Sequence, residues 1–131
     1  MPKRKILIVD DEERLCRMIK LNLEETGQYE VQVETKGKQA LATIRAVQPD
    51  LVLLDVVMPE VSGFDIAREI QSDQLLQKIP FAFLTAAGMA DAAKQAQSKG
   101  LGSVPFLAKP ISVEELLKHI EKYASKSPMS R

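Results

Sequence analysis

The chain has 131 residues, and its 18 Lys and Arg residues balance its 18 Asp and Glu residues, so the formal net charge is zero. This length suits one domain that buries roughly two-thirds of its unfolded surface. A neutral chain creates no general attraction to nucleic acids or anionic membranes, so we expect neither as a direct partner. One Cys and one His exclude an internal disulfide and a zinc cluster, and a reducing cytoplasm is the expected compartment.

The first half of the chain alternates between short apolar runs and segments with helical spacing. An unbroken run at 6–9 and a weaker alternation at Val31 and Val33 predict two strands. Between these strands a helix is predicted to end near Gly27. Its inward residues are expected to be Leu15, Met18, Ile19 and Leu23. A second helix is predicted to end before Pro49, with an inward face formed by Ala40, Leu41 and Ile44.

The middle of the chain continues this alternation. The run at 51–54 predicts a third strand, and the residues at about 63–76 have the spacing of a third helix. A fourth strand is predicted at 79–84, where Pro80 interrupts an apolar run. The segment at about 90–99 is rich in alanine and predicts a fourth helix. The inward residues of that helix are expected to be Met89, Ala92, Ala93 and Ala96.

The last strand and the last helix are predicted beyond residue 103. The fifth strand covers 104–107 and contains Pro105. Because proline cannot donate to a ladder, we expect this strand at an edge of the sheet. Ser112, followed by Glu115 three residues later, is typical of a capping box at the start of a helix. That helix is predicted to bury the stripe of Val113, Leu116, Leu117, Ile120 and Ala124.

Strands and helices therefore alternate along the chain. This alternation predicts an α/β fold with one parallel sheet and helices on both of its faces. The unbroken runs of Val, Ile and Leu agree, because strands of a parallel sheet are buried on both sides. Only the short polar segment 125–131 follows the last predicted helix, so we expect no second domain.

Polar residues lie at the carboxyl ends of the predicted strands. Asp10 and Asp11 follow the first strand, Asp55 ends the third, Thr85 ends the fourth and Lys109 follows the fifth. In an open parallel sheet these ends meet at one edge, where functional sites form. Clustered carboxylates repel one another unless a cation lies among them, and oxygen ligands suit Mg²⁺. The pattern predicts a Mg²⁺ site at which an aspartate oxygen attacks a phosphoryl group.

Each of these residues also has a simpler interpretation. Asp10 or Asp11 alone could cap a helix. Thr85 alone could be an ordinary strand-end residue, and Lys109 alone a surface charge. Their joint placement at the ends of several strands favours a functional site. Cys16, beside the inward face of the first helix, is expected to pack in the core rather than to take part in redox chemistry.

Four segments of the chain match the motifs of a known family. They are Ile6–Glu12, Leu51–Pro59 with Gly63 following, Leu84–Ala86 and Phe106–Pro110. On these segments the chain resembles the receiver domain of two-component response regulators, in a chemotaxis-regulator-like, single-domain form. The resemblance implies a flavodoxin-like fold with strand order 2-1-3-4-5 and domain boundaries at 5–124. This order agrees with an edge position for the fifth strand.

The resemblance also implies a role for each residue at the sheet edge. Asp55 is expected to accept a phosphoryl group from a phosphohistidine of a sensor histidine kinase or a phosphotransfer protein. Thr85 and Lys109 are expected to hold the phosphoryl oxygens. The expected Mg²⁺ ligands are Asp10, Asp11 and Asp55, together with the main-chain carbonyl of Val57.

Further expectations concern the neighbourhood of Lys109 and the output of the protein. Phe106 corresponds to an aromatic switch position, and the Lys109-Pro110 peptide bond is expected to be cis. The resemblance implies that an unknown downstream protein reads the phosphorylated state. The only catalysis it implies is self-catalysed phosphoryl transfer and autodephosphorylation.

Two other functions remain as alternatives. A Mg²⁺-dependent phosphatase of the haloacid dehalogenase kind also forms an aspartyl phosphate, but it requires an Asp two residues past the nucleophile, where this chain has Val57. A docking domain that works without phosphorylation would not require the complete acidic cluster. Val57 and Ala87 are apolar and cannot orient a water by a hydrogen bond, so slow autodephosphorylation is expected.

Overall fold

A computed structural model of the protein describes residues 3–86 and 89–124. The strands are β1 (Arg4–Val9), β2 (Tyr29–Glu34), β3 (Leu51–Asp55), β4 (Phe81–Thr85) and β5 (Phe106–Ala108). The helices are α1 (Glu13–Glu25), α2 (Ala40–Val47), α3 (Gly63–Ser72), α4 (Met89–Ser98) and α5 (Val113–Ala124), and a short 3₁₀ turn at Gly37–Gln39 precedes α2. The tail expected at 125–131 lies outside the described residues.

The described strands form one parallel sheet in the order β2-β1-β3-β4-β5, which confirms the predicted flavodoxin-like fold. β5 lies at an edge, as predicted, but Pro105 comes directly before the strand and not inside it. The carbonyl oxygen of Pro105 accepts a hydrogen bond of 2.9 Å from the amide of Phe83. None of the helices in the described segments has the length and apolar character needed to cross a membrane.

Two hydrophobic cores lie on opposite faces of the sheet, as the predicted arrangement of helices requires. Along β1, Leu7 and Val9 pack on the side of α2, α3 and α4, whereas Ile6 and Ile8 pack on the side of α1 and α5. This division follows from the alternation of side chains along a strand. The residues Leu51–Leu54 of β3 are fully buried, which explains their unbroken apolar run.

The inward faces of two helices differ from the prediction. In α1, Cys16 takes the buried position next to Ile19, and Met18 is 45% exposed. The buried stripe of α1 consists of Cys16, Ile19 and Leu23, at i, i+3 and i+7, and it is therefore rotated away from Met18. In α4, Ala92 and Ala96 are buried as predicted, but Ala93 is exposed. The side chain of Met89 lies outside the described residues.

The third helix ends earlier than predicted. α3 stops at Ser72, and the carboxylate of Asp73 accepts hydrogen bonds from the amides of Leu75 and Leu76 at 2.8 and 3.2 Å. These bonds begin a separate turn, because they compete with continuation of the helix. Leu76 is nevertheless buried in the core from this turn. The sequence pattern therefore predicts a helix that continues to residue 76.

Helix α2 ends at a residue with a left-handed backbone conformation. Gln48 has φ 52° and ψ 62°, and its side chain is exposed. Glycine adopts this conformation without the steric cost of a Cβ atom. We therefore expect Gln48→Gly to raise the free energy of unfolding by up to about 1 kcal/mol in urea denaturation.

A matched control lies in the middle of the same helix. Ala42 is exposed and has ordinary helical geometry, so Ala42→Gly should lower the free energy of unfolding by about 1 kcal/mol. Equal destabilisation by both variants would contradict the idea that Gln48 is strained.

Candidate functional site

The residues predicted to form a site converge at the carboxyl edge of the sheet. Asp10 follows β1, and Asp55 ends β3; both are buried, whereas Asp11 is exposed. One carboxylate oxygen from each of these three residues lies within 4.8 Å of the others. The predicted acidic cluster is therefore present, although Asp55 lies 45 positions after Asp10 in the sequence.

Lys109 extends from the residue after β5 into this cluster. Its Nζ atom lies 2.7 Å from Asp10 Oδ2 and 3.4 Å from Asp55 Oδ1. It also donates a hydrogen bond of 2.7 Å to Glu12 Oε1. The predicted lysine thus contacts the predicted carboxylates, but its contact with Glu12 was not predicted. The only signal in the sequence was the position of Glu12 directly after Asp10 and Asp11.

The electrostatics of the site favour an additional cation. Burial, followed by the neighbouring Asp10 carboxylate, raises the pKa of Asp55 to about 7, although the Lys109 ammonium acts against this rise. Burial alone would lower the pKa of Lys109, but its bonds to Asp10 and Glu12 hold that pKa above its ordinary value. Lys109 is therefore charged, and one ammonium does not balance the surrounding carboxylates.

The donor set fits Mg²⁺. The converging ligand atoms of Asp10, Asp11 and Asp55 are all carboxylate oxygens. A hard divalent cation prefers such ligands, and the exposed side of the cluster at Asp11 leaves room for coordinated water.

Local hydrogen bonds fix the orientation of Asp10. Its Oδ1 atom accepts a bond of 2.9 Å from the amide of Glu12, and its carbonyl oxygen accepts one of 3.3 Å from the Cys16 thiol. Burial, together with the charge of Asp10, raises the pKa of Cys16 to about 12. The thiol therefore remains protonated and is a donor within the core, which confirms its predicted packing role.

The turn after β3 places Asp55. The amide of Gly63 donates a 2.9 Å hydrogen bond to the carbonyl of Val56, and the amide of Val57 lies 3.4 Å from Asp55 Oδ1. A Cβ atom on Gly63 would overlap the main-chain oxygen of Asp55. The glycine thus allows the start of α3 to approach the acidic residue closely. The side chain of Val57 is 78% exposed.

Thr85 ends β4, the strand beside Asp55, and Phe106 lies on β5, one strand further out. Thr85 is buried, and its carbonyl oxygen accepts a 2.7 Å hydrogen bond from the amide of Lys109. The half-buried ring of Phe106 lies 5.2 Å from that of Phe83, between ring centroids. Phe83 in turn contacts Phe64 of α3 at 5.0 Å. The Lys109-Pro110 bond is cis, as the resemblance implied.

Comparison with known proteins identifies relatives over most of the chain. A model of the response regulator receiver domain matches residues 6–121. The chain is 38% identical over 121 residues to the phosphate regulon transcriptional regulatory protein PhoB of Pseudomonas aeruginosa, covering 92% of this chain and 52% of that protein. It is 35% identical over 120 residues to the DNA-binding dual master transcriptional regulator RpaA of Synechocystis sp., covering 92% and 48%. The chain spans about half the length of these curated relatives.

Solved structures show the same fold. A putative response regulator from Chloroflexus aurantiacus superimposes with a TM-score of 0.84 at 29% identity, covering 95% of this chain and 100% of that one. The chemotaxis protein CheY4 of Vibrio cholerae superimposes with a TM-score of 0.81 at 28% identity, covering 93% and 99%.

Proposed function

The chain belongs to the response regulator receiver domain family, and we propose that it is a phosphorylation-dependent switch in which Asp55 accepts the phosphoryl group. The observation that carries this proposal is the convergence of Asp10, Asp11 and Asp55 within 4.8 Å, with the Lys109 ammonium 3.4 Å from Asp55. A sensor histidine kinase or a phosphotransfer protein is the proposed donor. PhoB and RpaA are regulators of transcription by name, whereas the downstream target of this chain is proposed only as a protein.

The proposed chemistry is an in-line transfer to a carboxylate oxygen. An Asp55 oxygen attacks phosphorus, a P–O bond forms, and the P–N bond to the donor imidazole breaks. When bound by Asp10, Asp11, Asp55 and the Val57 carbonyl, Mg²⁺ would neutralise charge on the phosphoryl oxygens. Thr85 and Lys109 would donate hydrogen bonds to these oxygens, since Thr85 ends the strand beside Asp55 and the Lys109 Nζ atom lies 3.4 Å from Asp55 Oδ1.

In this reaction the protein itself accepts the phosphoryl group, and no other acceptor is required. The haloacid dehalogenase alternative is not favoured, because the position of its acid/base residue is held by the apolar, exposed Val57. A phosphorylation-independent docking role is not favoured either, because it would not require Lys109 and three carboxylates at one point. Slow autodephosphorylation remains part of the proposal and rests on Val57 and Ala87. Ala87 lies outside the described residues.

The domain boundaries and the compartment are also proposals. Boundaries at 5–124, with a polar tail at 125–131, are supported by the family match over 6–121. We place the protein in the cytoplasm because a lone buried thiol suits a reducing compartment.

Helix α4 is the proposed moving part. Among its described side chains, the buried ones are the small Ala92 and Ala96, whereas α5 buries Leu116 and Ile120. Each buried CH₂ group contributes about 0.8 kcal/mol, so α4 is held less strongly than α5. Thr85 ends the strand that leads to α4, and Phe106 lies on the neighbouring strand. Contacts of Thr85 with a phosphoryl group can therefore change the positions of α4 and Phe106.

Hydrogen exchange of the whole chain tests this switch. We expect the amides of 90–99 to exchange faster than those of 114–123, and their protection to change when beryllofluoride and Mg²⁺ are added as a phosphoryl mimic. The matched control is Asp55→Asn, which lacks the acceptor carboxylate and should show no response to the mimic. Equal exchange of both helices, without any response in the wild type, would contradict the proposed switch.

A further inference from the structure

The Lys109 ammonium is not centred on the proposed acceptor. Its Nζ atom lies 2.7 Å from both Asp10 Oδ2 and Glu12 Oε1 but 3.4 Å from Asp55 Oδ1. The contact with Glu12 is a hydrogen bond with the length of a strong charge-assisted one, whereas the contact with Asp10 is an ion pair without hydrogen-bond geometry. The resting site therefore pairs Lys109 with Asp10 and Glu12, and leaves its contact with Asp55 long.

The two short contacts differ in how easily each can be broken. The Asp10 side chain has no exposed surface, so removing its counterion would leave a buried charge without a partner. The Glu12 side chain is 58% exposed, and water can solvate its carboxylate once Lys109 leaves. If Lys109 moves toward Asp55, the contact with Glu12 is therefore the one that breaks.

The backbone around Glu12 keeps its side chain within reach of Lys109. The amide of Glu12 donates a 2.9 Å hydrogen bond to Asp10 Oδ1, and the residue directly precedes α1. The carbonyl of Glu12 accepts a 3.1 Å bond from the amide of Cys16, which fixes the first turn of that helix. Glu12 is thus anchored by its main chain, while its carboxylate can rotate into water.

We propose that Glu12 is a positioning residue that holds Lys109 in the resting arrangement and opposes its transfer to a phosphoryl group on Asp55. This inference rests on the proposed function, because it requires a phosphoryl group at that residue. The Lys109 Nζ atom lies 2.7 Å from Glu12 Oε1 and 3.4 Å from Asp55 Oδ1, so we expect a closer approach to a phosphoryl group on Asp55 to lengthen the contact with Glu12. Removing the Glu12 carboxylate should therefore favour the phosphorylated arrangement.

Binding of beryllofluoride at saturating Mg²⁺ measures this competition directly. We expect Glu12→Gln to bind the mimic about threefold more tightly than the wild type, which is the range of a partly exposed ion pair. Binding of Mg²⁺ alone should be no tighter than in the wild type, because a negative charge has been removed from the site. Tighter binding of the mimic without tighter binding of Mg²⁺ would distinguish the release of Lys109 from a general effect of the lost charge.

Two further variants distinguish direct contact from distant charge. Glu12→Asp keeps the charge but is one methylene too short for the 2.7 Å contact, so it should resemble Glu12→Gln. Glu13→Gln removes a charge from the neighbouring exposed residue and should bind the mimic as the wild type does.

Each outcome of this comparison is decisive. Unchanged or weaker mimic binding by Glu12→Gln would overturn the inference while the proposed function stands. Wild-type binding by Glu12→Asp, or an equal gain in Glu13→Gln, would overturn it in the same way. Failure of the wild type itself to bind beryllofluoride with Mg²⁺ would overturn the proposed function, and the inference with it.

Discussion

Asp55→Asn should not be phosphorylated by acetyl phosphate, whereas the wild type should gain one phosphoryl group in the presence of Mg²⁺. The carboxylate of Asp55 is the buried acceptor at the end of β3, and an amide provides no anionic oxygen to attack phosphorus while acetate leaves. Intact mass measurement of both proteins after incubation gives the result directly. The wild type should gain no mass when EDTA is present during the incubation, because the transfer requires the metal.

A matched control exists at the opposite end of the same strand. Asp50 is also a buried carboxylate, and its Oδ2 atom accepts a 2.8 Å hydrogen bond from the amide of Lys5. Asp50→Asn retains an oxygen acceptor for that bond and should be phosphorylated like the wild type. Labelling of Asp55→Asn at the wild-type level, or wild-type labelling with EDTA present, would contradict Asp55 as the metal-dependent acceptor.

The sheet could be predicted from the sequence because its central strands are buried on both faces. Leu51–Leu54 form a continuous apolar run for this reason, and its short length favours a strand over a helix. The errors lie where a residue reaches the core without belonging to the expected pattern. Leu76 does so from a turn that Asp73 initiates, a feature that hydrophobic spacing does not show. In α1 the error is Met18, because the stripes through Met18 and through Cys16 both have helical spacing.

The acidic cluster and Lys109 could be predicted for a different reason. The carboxyl ends of parallel strands meet at one edge, so the topology alone brings Asp10, Asp55 and Lys109 together. The contact between Lys109 and Glu12 could not be predicted, because it joins positions 97 residues apart and depends on side-chain direction. An acidic residue just before a helix has a sufficient local explanation in the helix dipole.

The close approach of Gly63 to the main chain of Asp55 likewise could not be predicted from the sequence. Its substitution has the second of the two largest effects that we expect. We expect Gly63→Ala to lower the free energy of unfolding by about 1–3 kcal/mol, because the new Cβ atom would overlap the main-chain oxygen of Asp55. Backbone atoms cannot rotate aside as a flexible side chain can, so the start of α3 must move away from β3. Urea denaturation of the variant and the wild type measures the cost.

Gly102→Ala is the matched control for this change. Its nearest neighbour would be Gln97 Cγ at 3.4 Å, which is an ordinary contact, so its free energy of unfolding should change by less than about 0.5 kcal/mol. Gly63→Ala should also weaken Mg²⁺ binding, since Asp55 cannot keep its place when its own carbonyl is displaced. Loss of stability without any change in Mg²⁺ affinity would show that the turn relaxes away from the acidic cluster. In that case Gly63 would matter for packing of α3 alone, and the position of Asp55 would be set by β3 and its neighbouring strands.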